Sequence, residues 1–118
     1  MLFRSHFERF KETRRPPTCA CGGPLKSATI SFGQSLREED LERASGAALR
    51  ADLVLALGST LSVYPAASVP LLAVERGTPY VIVNRGPTAH DALPSVTLRL
   101  EGDVTEIVPA AVQAALSV

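Results

Sequence analysis

The sequence predicts an α/β fold with a parallel sheet, and three observations carry that prediction. Leu53-Val54-Leu55-Ala56-Leu57 is a short apolar run bounded by Asp52 and Gly58, the pattern of a strand buried on both faces. Pro79-Tyr80-Val81-Ile82-Val83-Asn84 repeats it. Between them, the Ala-rich segment from about Ala66 to Arg76 can be a helix, and Gly77 is placed to end it. Strands that alternate with helices imply right-handed crossovers and a parallel sheet. Ligands of open α/β sheets sit beyond the carboxyl ends of the strands. Function is therefore expected where these strands end.

The other elements follow in order. Leu2, Phe3, Phe7 and Phe10 recur at roughly helical spacing, which predicts an amphipathic helix ending near Arg14-Arg15, stopped by Pro16-Pro17. Cys19 to Pro24 reads as a tight turn. Ala28-Thr29-Ile30-Ser31-Phe32 alternates and is β-prone, so a strand closed by Gly33 is expected. Ser35, with Glu38 three residues on, predicts a capped helix through Leu41, Ala44, Ala48 and Leu49. Gly46 weakens its middle by about 1 kcal/mol relative to alanine. Val96 to Leu100 alternates more than the two apolar strands and is expected nearer a sheet edge. A last helix is expected over Asp103 to Leu116, either starting near Pro109 or kinked there. Three strands make only half of a doubly wound nucleotide-binding sheet.

At 118 residues the chain is one domain at most. Twelve basic residues balance twelve acidic ones, which argues against bulk attraction to nucleic acid or a membrane surface. No apolar run is long enough to span a bilayer, and the N-terminus lacks the apolar core of a secretory signal. A reducing, cytoplasmic setting is the expectation.

A series of short motifs carries more than any one of them. Cys21-Gly22-Gly23-Pro24-Leu25-Lys26, Ile30-Ser31-Phe32-Gly33-Gln34, Ala51-Asp52-Leu53, Gly58-Ser59-Thr60-Leu61-Ser62-Val63-Tyr64-Pro65, Val81-Ile82-Val83-Asn84, Pro87-Thr88 with Asp91, and Gly102-Asp103-Val104 occur in that order. Order and spacing resemble the C-terminal half of a sirtuin, the family of NAD-dependent protein-lysine deacylases. The resemblance covers the chain from about Cys19 onward. It implies the C-terminal half of a Rossmann-like domain over residues 28–118, preceded over residues 1–27 by a remnant of a small zinc-binding module. It implies a reaction that turns NAD and an acyl-lysine protein into nicotinamide, an acyl-ADP-ribose and free lysine.

The resemblance also assigns roles. Gly58, Ser59 and Thr60 would lie against NAD, with Ser-Thr standing where the family more often has Thr-Ser or Ser-Ser. A glycine permits close approach, and the amides and hydroxyls after it can donate to ribose or phosphate oxygens. Asn84 would meet the adenosine ribose, its amide offering donor and acceptor. Gly102, Asp103 and Val104 would flank adenine, Asp103 otherwise being an ordinary helix cap. Phe32-Gly33-Gln34 and Val63-Tyr64-Pro65 would clamp an extended acyl-lysine peptide as an added strand. Gln34 stands where most members have glutamate. Cys19 and Cys21 would be half of a four-ligand zinc site. They are one residue closer than the family's pair, and with no other pair present two free thiols are expected.

What is missing shapes the functional expectation. No Gly-rich phosphate loop follows a strand, and neither histidine matches the family's catalytic one. His6 and His90 both read as solvent-exposed, and Thr88 with Asp91 as a local capping pair. The chain is expected to be inactive alone and to self-associate or await a chain supplying the missing half. Three origins fit: a truncated gene product of a full-length sirtuin, which the position of Met1 favours; a split or degenerate gene encoding a non-catalytic binder of nucleotide or peptide; and an unrelated α/β interaction domain.

Overall fold

The computed structural model describes residues 2–118. It forms two compact units, the first ending at Ser35 and the second running from Leu36 to Val118.

The first unit begins with helix α1, Leu2–Thr13. Its turns are tied on the surface by Lys11, which pairs with Glu8 at 3.6 Å and lies 4.7 Å from the Phe7 ring centroid. Arg14 at φ 54° takes the chain out of the helix, and Pro16-Pro17 prevents its resumption. The turn that follows is closed by hydrogen bonds from the Cys19 amide to the Gly23 carbonyl and from the Gly22 amide to the Cys19 carbonyl, both 2.9 Å. Two expectations are corrected here. Cys19 and Cys21 are joined by a disulfide rather than left as thiols. The turn brings their Cα atoms to 5.3 Å, a separation a disulfide spans without moving the backbone. Residues 28–32 form no strand. Residues Ser31 to Gln34 instead close a turn through the Gln34 amide and the Ser31 carbonyl at 3.0 Å, with Gly33 at φ +83°. β-propensity without a strand to pair with does not make a strand.

The second unit holds a three-stranded parallel sheet in the order β1 (Val54–Leu57), β2 (Tyr80–Asn84), β3 (Leu98–Glu101). Helix α2 (Glu38–Arg50) precedes it. A 3-10 turn, Ala66–Ser68, and helix α3 (Val69–Val74) cross from β1 to β2, and Gly77 at φ +81° ends that crossover. Helix α4 (Val104–Leu116) closes the chain. The core joins Leu61, Tyr80 and Ile82, with Val54, Ala56, Val74 and Val96 packed on it. No described helix is long and apolar enough to cross a membrane.

Helix α2 starts at Glu38 with Arg37, not Ser35, at its N-cap, and no side chain caps it. Glu38, Glu39 and Asp40 in the first turn suit the positive end of the helix instead, and Arg37 braces it through Glu39 at 2.7 Å. Helix α4 begins at Val104 and runs through Pro109, so the start is set by the Asp103 cap rather than by the proline. The run at 53–57 is also corrected. Strand β2 is buried along nearly its whole length, but β1 is an edge strand with Leu55 50% exposed and Leu53 and Leu57 exposed beside it. It pairs only with β2, so nothing in the sheet covers its other side.

Candidate functional site

In a parallel sheet all strands end at the same edge. The register sets Leu57 beside Val83 and Asn84 beside Glu101, so the residues after β1, β2 and β3 converge. The Gly58 amide donates to the Val83 carbonyl at 2.9 Å, and the Gly102 amide to the Asn84 carbonyl at 3.2 Å. A Cβ on Gly58 would lie 3.5 Å from Val104 Cγ2. The structure thus brings together Gly58, Ser59, Thr60, Asn84, Gly102, Asp103 and Val104.

Each segment has a local cause. Gly58 sits at φ +61°, a conformation that favours glycine. Ser59 Oγ accepts from the Leu61 amide at 3.2 Å, which lets Leu61 turn down into the core at φ 54°. Thr60 and Ser62 hydroxyls share a 2.9 Å hydrogen bond on the surface. Asn84, 7% exposed, donates from Nδ2 to the carbonyls of Gly86 at 3.0 Å and Arg85 at 3.3 Å. Asp103 caps α4 by accepting from the Thr105 amide at 2.8 Å. The Thr105 hydroxyl and amide, and then Arg85, hold its carboxyl below the usual carboxylate range.

A loop from β2 packs behind this edge. The Ala89 amide donates to the Thr60 carbonyl at 2.9 Å. Asp91 accepts from the Thr88 amide and hydroxyl, the local pair expected from the sequence. Contrary to the sequence reading, His90 is buried at 2% exposure, and His6 is half-buried. The reason for His90 is Tyr80, whose hydroxyl at the core meets His90 Nδ1 at 2.9 Å. Burial and the Asp91 charge push the Tyr80 hydroxyl up to about 12. Burial holds His90 below its ordinary 6.5, with Asp91 pulling the other way.

That arrangement predicts the acid response of the fold. Below 6.5 the unfolded chain takes up a proton at His90 that the folded chain resists, so stability falls as pH drops through that value towards the depressed folded one. Asp91 adds a lower window. Thr88, then Arg99, hold it at about 2, so its contribution is lost only between 3.8 and about 2. Urea midpoints measured from pH 7 to pH 5 are expected to decline in the wild type. They should stay flat in a Tyr80→Phe, His90→Leu double variant, which replaces both partners with apolar groups. An equal decline in both would refute the assignment to His90.

The segments expected to hold peptide fall in different units: Phe32, Gly33 and Gln34 in the first, Val63, Tyr64 and Pro65 in the second. Phe32 is 92% exposed, and Val63 and Tyr64 are exposed too. Gln34 Oε1 accepts from Lys26 Nζ at 3.3 Å and the Ser31 amide at 3.4 Å. The Tyr64-Pro65 peptide is cis.

The residues around Cys19 and Cys21 do not fit a structural zinc ion. Both sulfurs are taken by the disulfide, and no group of three or more His, Cys, Asp or Glu side chains among the described residues could hold a metal. The residues at the sheet edge do suit a nucleotide: a glycine approach, exposed hydroxyls at Ser59 and Thr60, an Asn at a strand end and a capped helix start. Sequence reasoning missed Arg85, Arg99 and Glu101, which surround Asn84. The available signal was charge at alternate positions of β3, Arg99 and Glu101, in a strand whose neighbours are apolar.

Comparison with known proteins agrees with this geometry. A family model described as Sir2 family matches residues 3–65. The NAD-dependent protein deacetylase of Rhodopseudomonas palustris is 45% identical over 93 residues, which are 78% of this chain and 37% of that protein. That of Thermotoga maritima is 40% identical over 96 residues, 80% of this chain and 38% of that one. A solved structure of Sir2 with a p53 peptide and NAD+ is 34% identical, with a TM-score of 0.75 over 94% of this chain and 46% of its own. Sir2 bound to an acetylated peptide is 35% identical, with the same TM-score over 92% and 45%. The chain spans little more than a third of the length of the curated relatives it matches. With its strand ends arranged as described, the chain belongs to the Sir2 family.

Proposed function

We propose that this chain is the part of an NAD-dependent protein-lysine deacylase that binds the adenosine side of NAD and one side of an acyl-lysine peptide. The convergence of Gly58–Thr60, Asn84 and Gly102–Val104 at one sheet edge carries the reading. NAD, when bound, would supply an electrophilic ribose carbon that the acyl oxygen attacks as nicotinamide leaves. The chain's own residues bind and orient. Gly58 admits the nucleotide backbone, Ser59 and Thr60 offer hydroxyls and amides, and Asn84 contacts the ribose. The start of α4 flanks the base. Phe32, Gly33 and Gln34 in the first unit, and Val63, Tyr64 and Pro65 in the second, each offer an exposed segment to an extended peptide.

Isothermal titration with ADP-ribose tests the proposal. Saturable binding with a Kd of about 1 mM or tighter is expected, and Asn84→Ala should weaken it about tenfold, the size of one hydrogen bond. No saturable heat with the wild type would refute it.

A second reading, a non-catalytic nucleotide-binding module, is favoured by one observation: His90 is buried against Tyr80 and cannot reach a ligand as a base. ADP-ribose binding is common to both readings; turnover once a chain supplying the missing half is added separates them.

The open side of β1 bears on partners. The backbone of β1 is unpaired there, and Leu53, Leu55 and Leu57 are exposed on one face beside it; such an edge invites pairing with another chain. Self-association of the isolated chain at micromolar concentration is therefore expected by light scattering. A clean mass of 12.5 kDa would count against it.

A further inference from the structure

We propose that Arg99, aided by Glu101, is a positioning residue that fixes the Asn84 side chain for ribose recognition; this rests on the nucleotide reading above. Arg99 stands on β3 beside the end of β2. Its guanidinium carries five N–H donors in a rigid fork, and each has an acceptor. Nε donates to Asp91 Oδ1 at 2.8 Å. Nη1 donates to the Asn84 carbonyl at 3.1 Å and to the Leu100 carbonyl. Nη2 donates to the Gly86 carbonyl at 2.6 Å and to Glu101 Oε2 at 3.1 Å. The side chain is mostly covered, at 22% exposure.

One of these bonds reaches the Asn84 carbonyl, and another reaches its side chain through Gly86. The Gly86 carbonyl accepts from Arg99 Nη2 and also from Asn84 Nδ2. Glu101 Oε1 holds the other end of the same residue by accepting from the Gly86 amide at 2.7 Å. Gly86, at φ +89°, has the left-handed backbone that turns its carbonyl back towards Asn84. The ion pair therefore clamps Gly86 at both its polar groups, and Gly86 holds the Asn84 amide nitrogen. With Nδ2 committed, the asparagine oxygen is the group left to accept from a ribose hydroxyl. Asp91 extends the clamp to the loop whose Ala89 amide bonds to Thr60, so one guanidinium links two of the three segments at the sheet edge. Lysine cannot reproduce this, having three donors on a point charge.

The test combines nuclear magnetic resonance with a double-mutant cycle on the whole chain. In the wild type the two Asn84 side-chain amide protons should be resolved and protected from exchange. In Arg99→Lys they should exchange freely with solvent and move to the shifts of a free asparagine amide, while the Ile82 amide stays protected. Arg99→Lys should weaken ADP-ribose binding about tenfold, with no further loss when added to Asn84→Ala. A purely structural role would weaken both backgrounds equally, and that result would overturn the proposal, as would unchanged Asn84 side-chain signals. If the wild type bound no ADP-ribose, the nucleotide reading would fail. The Asn84 side-chain signals would still decide whether Arg99 fixes that residue.

Discussion

Incubated with NAD and an acetyl-lysine peptide, the 118-residue chain is expected to release no nicotinamide above the buffer blank. The reason lies in its two histidines. A general base must reach the proton it removes, directly or through one water, and contributes about 100- to 10,000-fold. His90 is 2% exposed, is hydrogen-bonded to Tyr80 and faces the core side of the Thr88–Asp91 loop. His6 lies on α1, in the unit that carries none of the residues proposed to hold the nucleotide. Neither carboxylate at the site is free to substitute. Asp103 caps α4 and pairs with Arg85, and Glu101 is engaged by Arg99 and the Gly86 amide. Nicotinamide release followed by chromatography checks this. Turnover by the pure chain would contradict it.

Replacing Ile82 by alanine is expected to destabilise the fold by about 2–5 kcal/mol, through lost burial and the cavity left behind. Ile82 is wholly buried in the central strand, between Leu61 and Tyr80. Small domains have only about 5–15 kcal/mol to lose, and this core contains few large side chains. A substantial unfolded fraction at 37 °C should result. Leu116→Ala, at an exposed helix end, should change stability by less than about 0.5 kcal/mol. Urea titrations followed by circular dichroism compare the two. Equal midpoints would mean that the core lies elsewhere.

The sheet was legible because its strands differ from everything around them. Tyr80 to Asn84 is apolar and β-branched, and it is the buried central strand. The edge place of β3 followed from its alternation, and Asp103 as a cap followed from its place before an apolar helix. Three features were not legible, each because a partner decides it. The open edge of β1 followed from the half sheet, but whether the face carrying Leu53, Leu55 and Leu57 is covered depends on what packs against it, which composition cannot say. Ala28–Phe32 has strand propensity, but the local turn at Gly33 prevails. His90 looked like a loop residue until Tyr80, ten positions away in sequence, offered its hydroxyl. The residues proposed to hold the nucleotide were named from the motif series, whereas Arg99 was not. Its five acceptors are mostly backbone carbonyls and carboxylates from separate segments, and only folding assembles them.

The most direct measurement is a nuclear magnetic resonance titration of the labelled chain with ADP-ribose, following every backbone amide. Saturable shifts confined to Gly58–Thr60, Asn84–Gly86 and Gly102–Thr105 are predicted, since these amides meet at the carboxyl edge of the sheet. Shifts clustered elsewhere, or none that saturate, would contradict the claim that this edge is a nucleotide site.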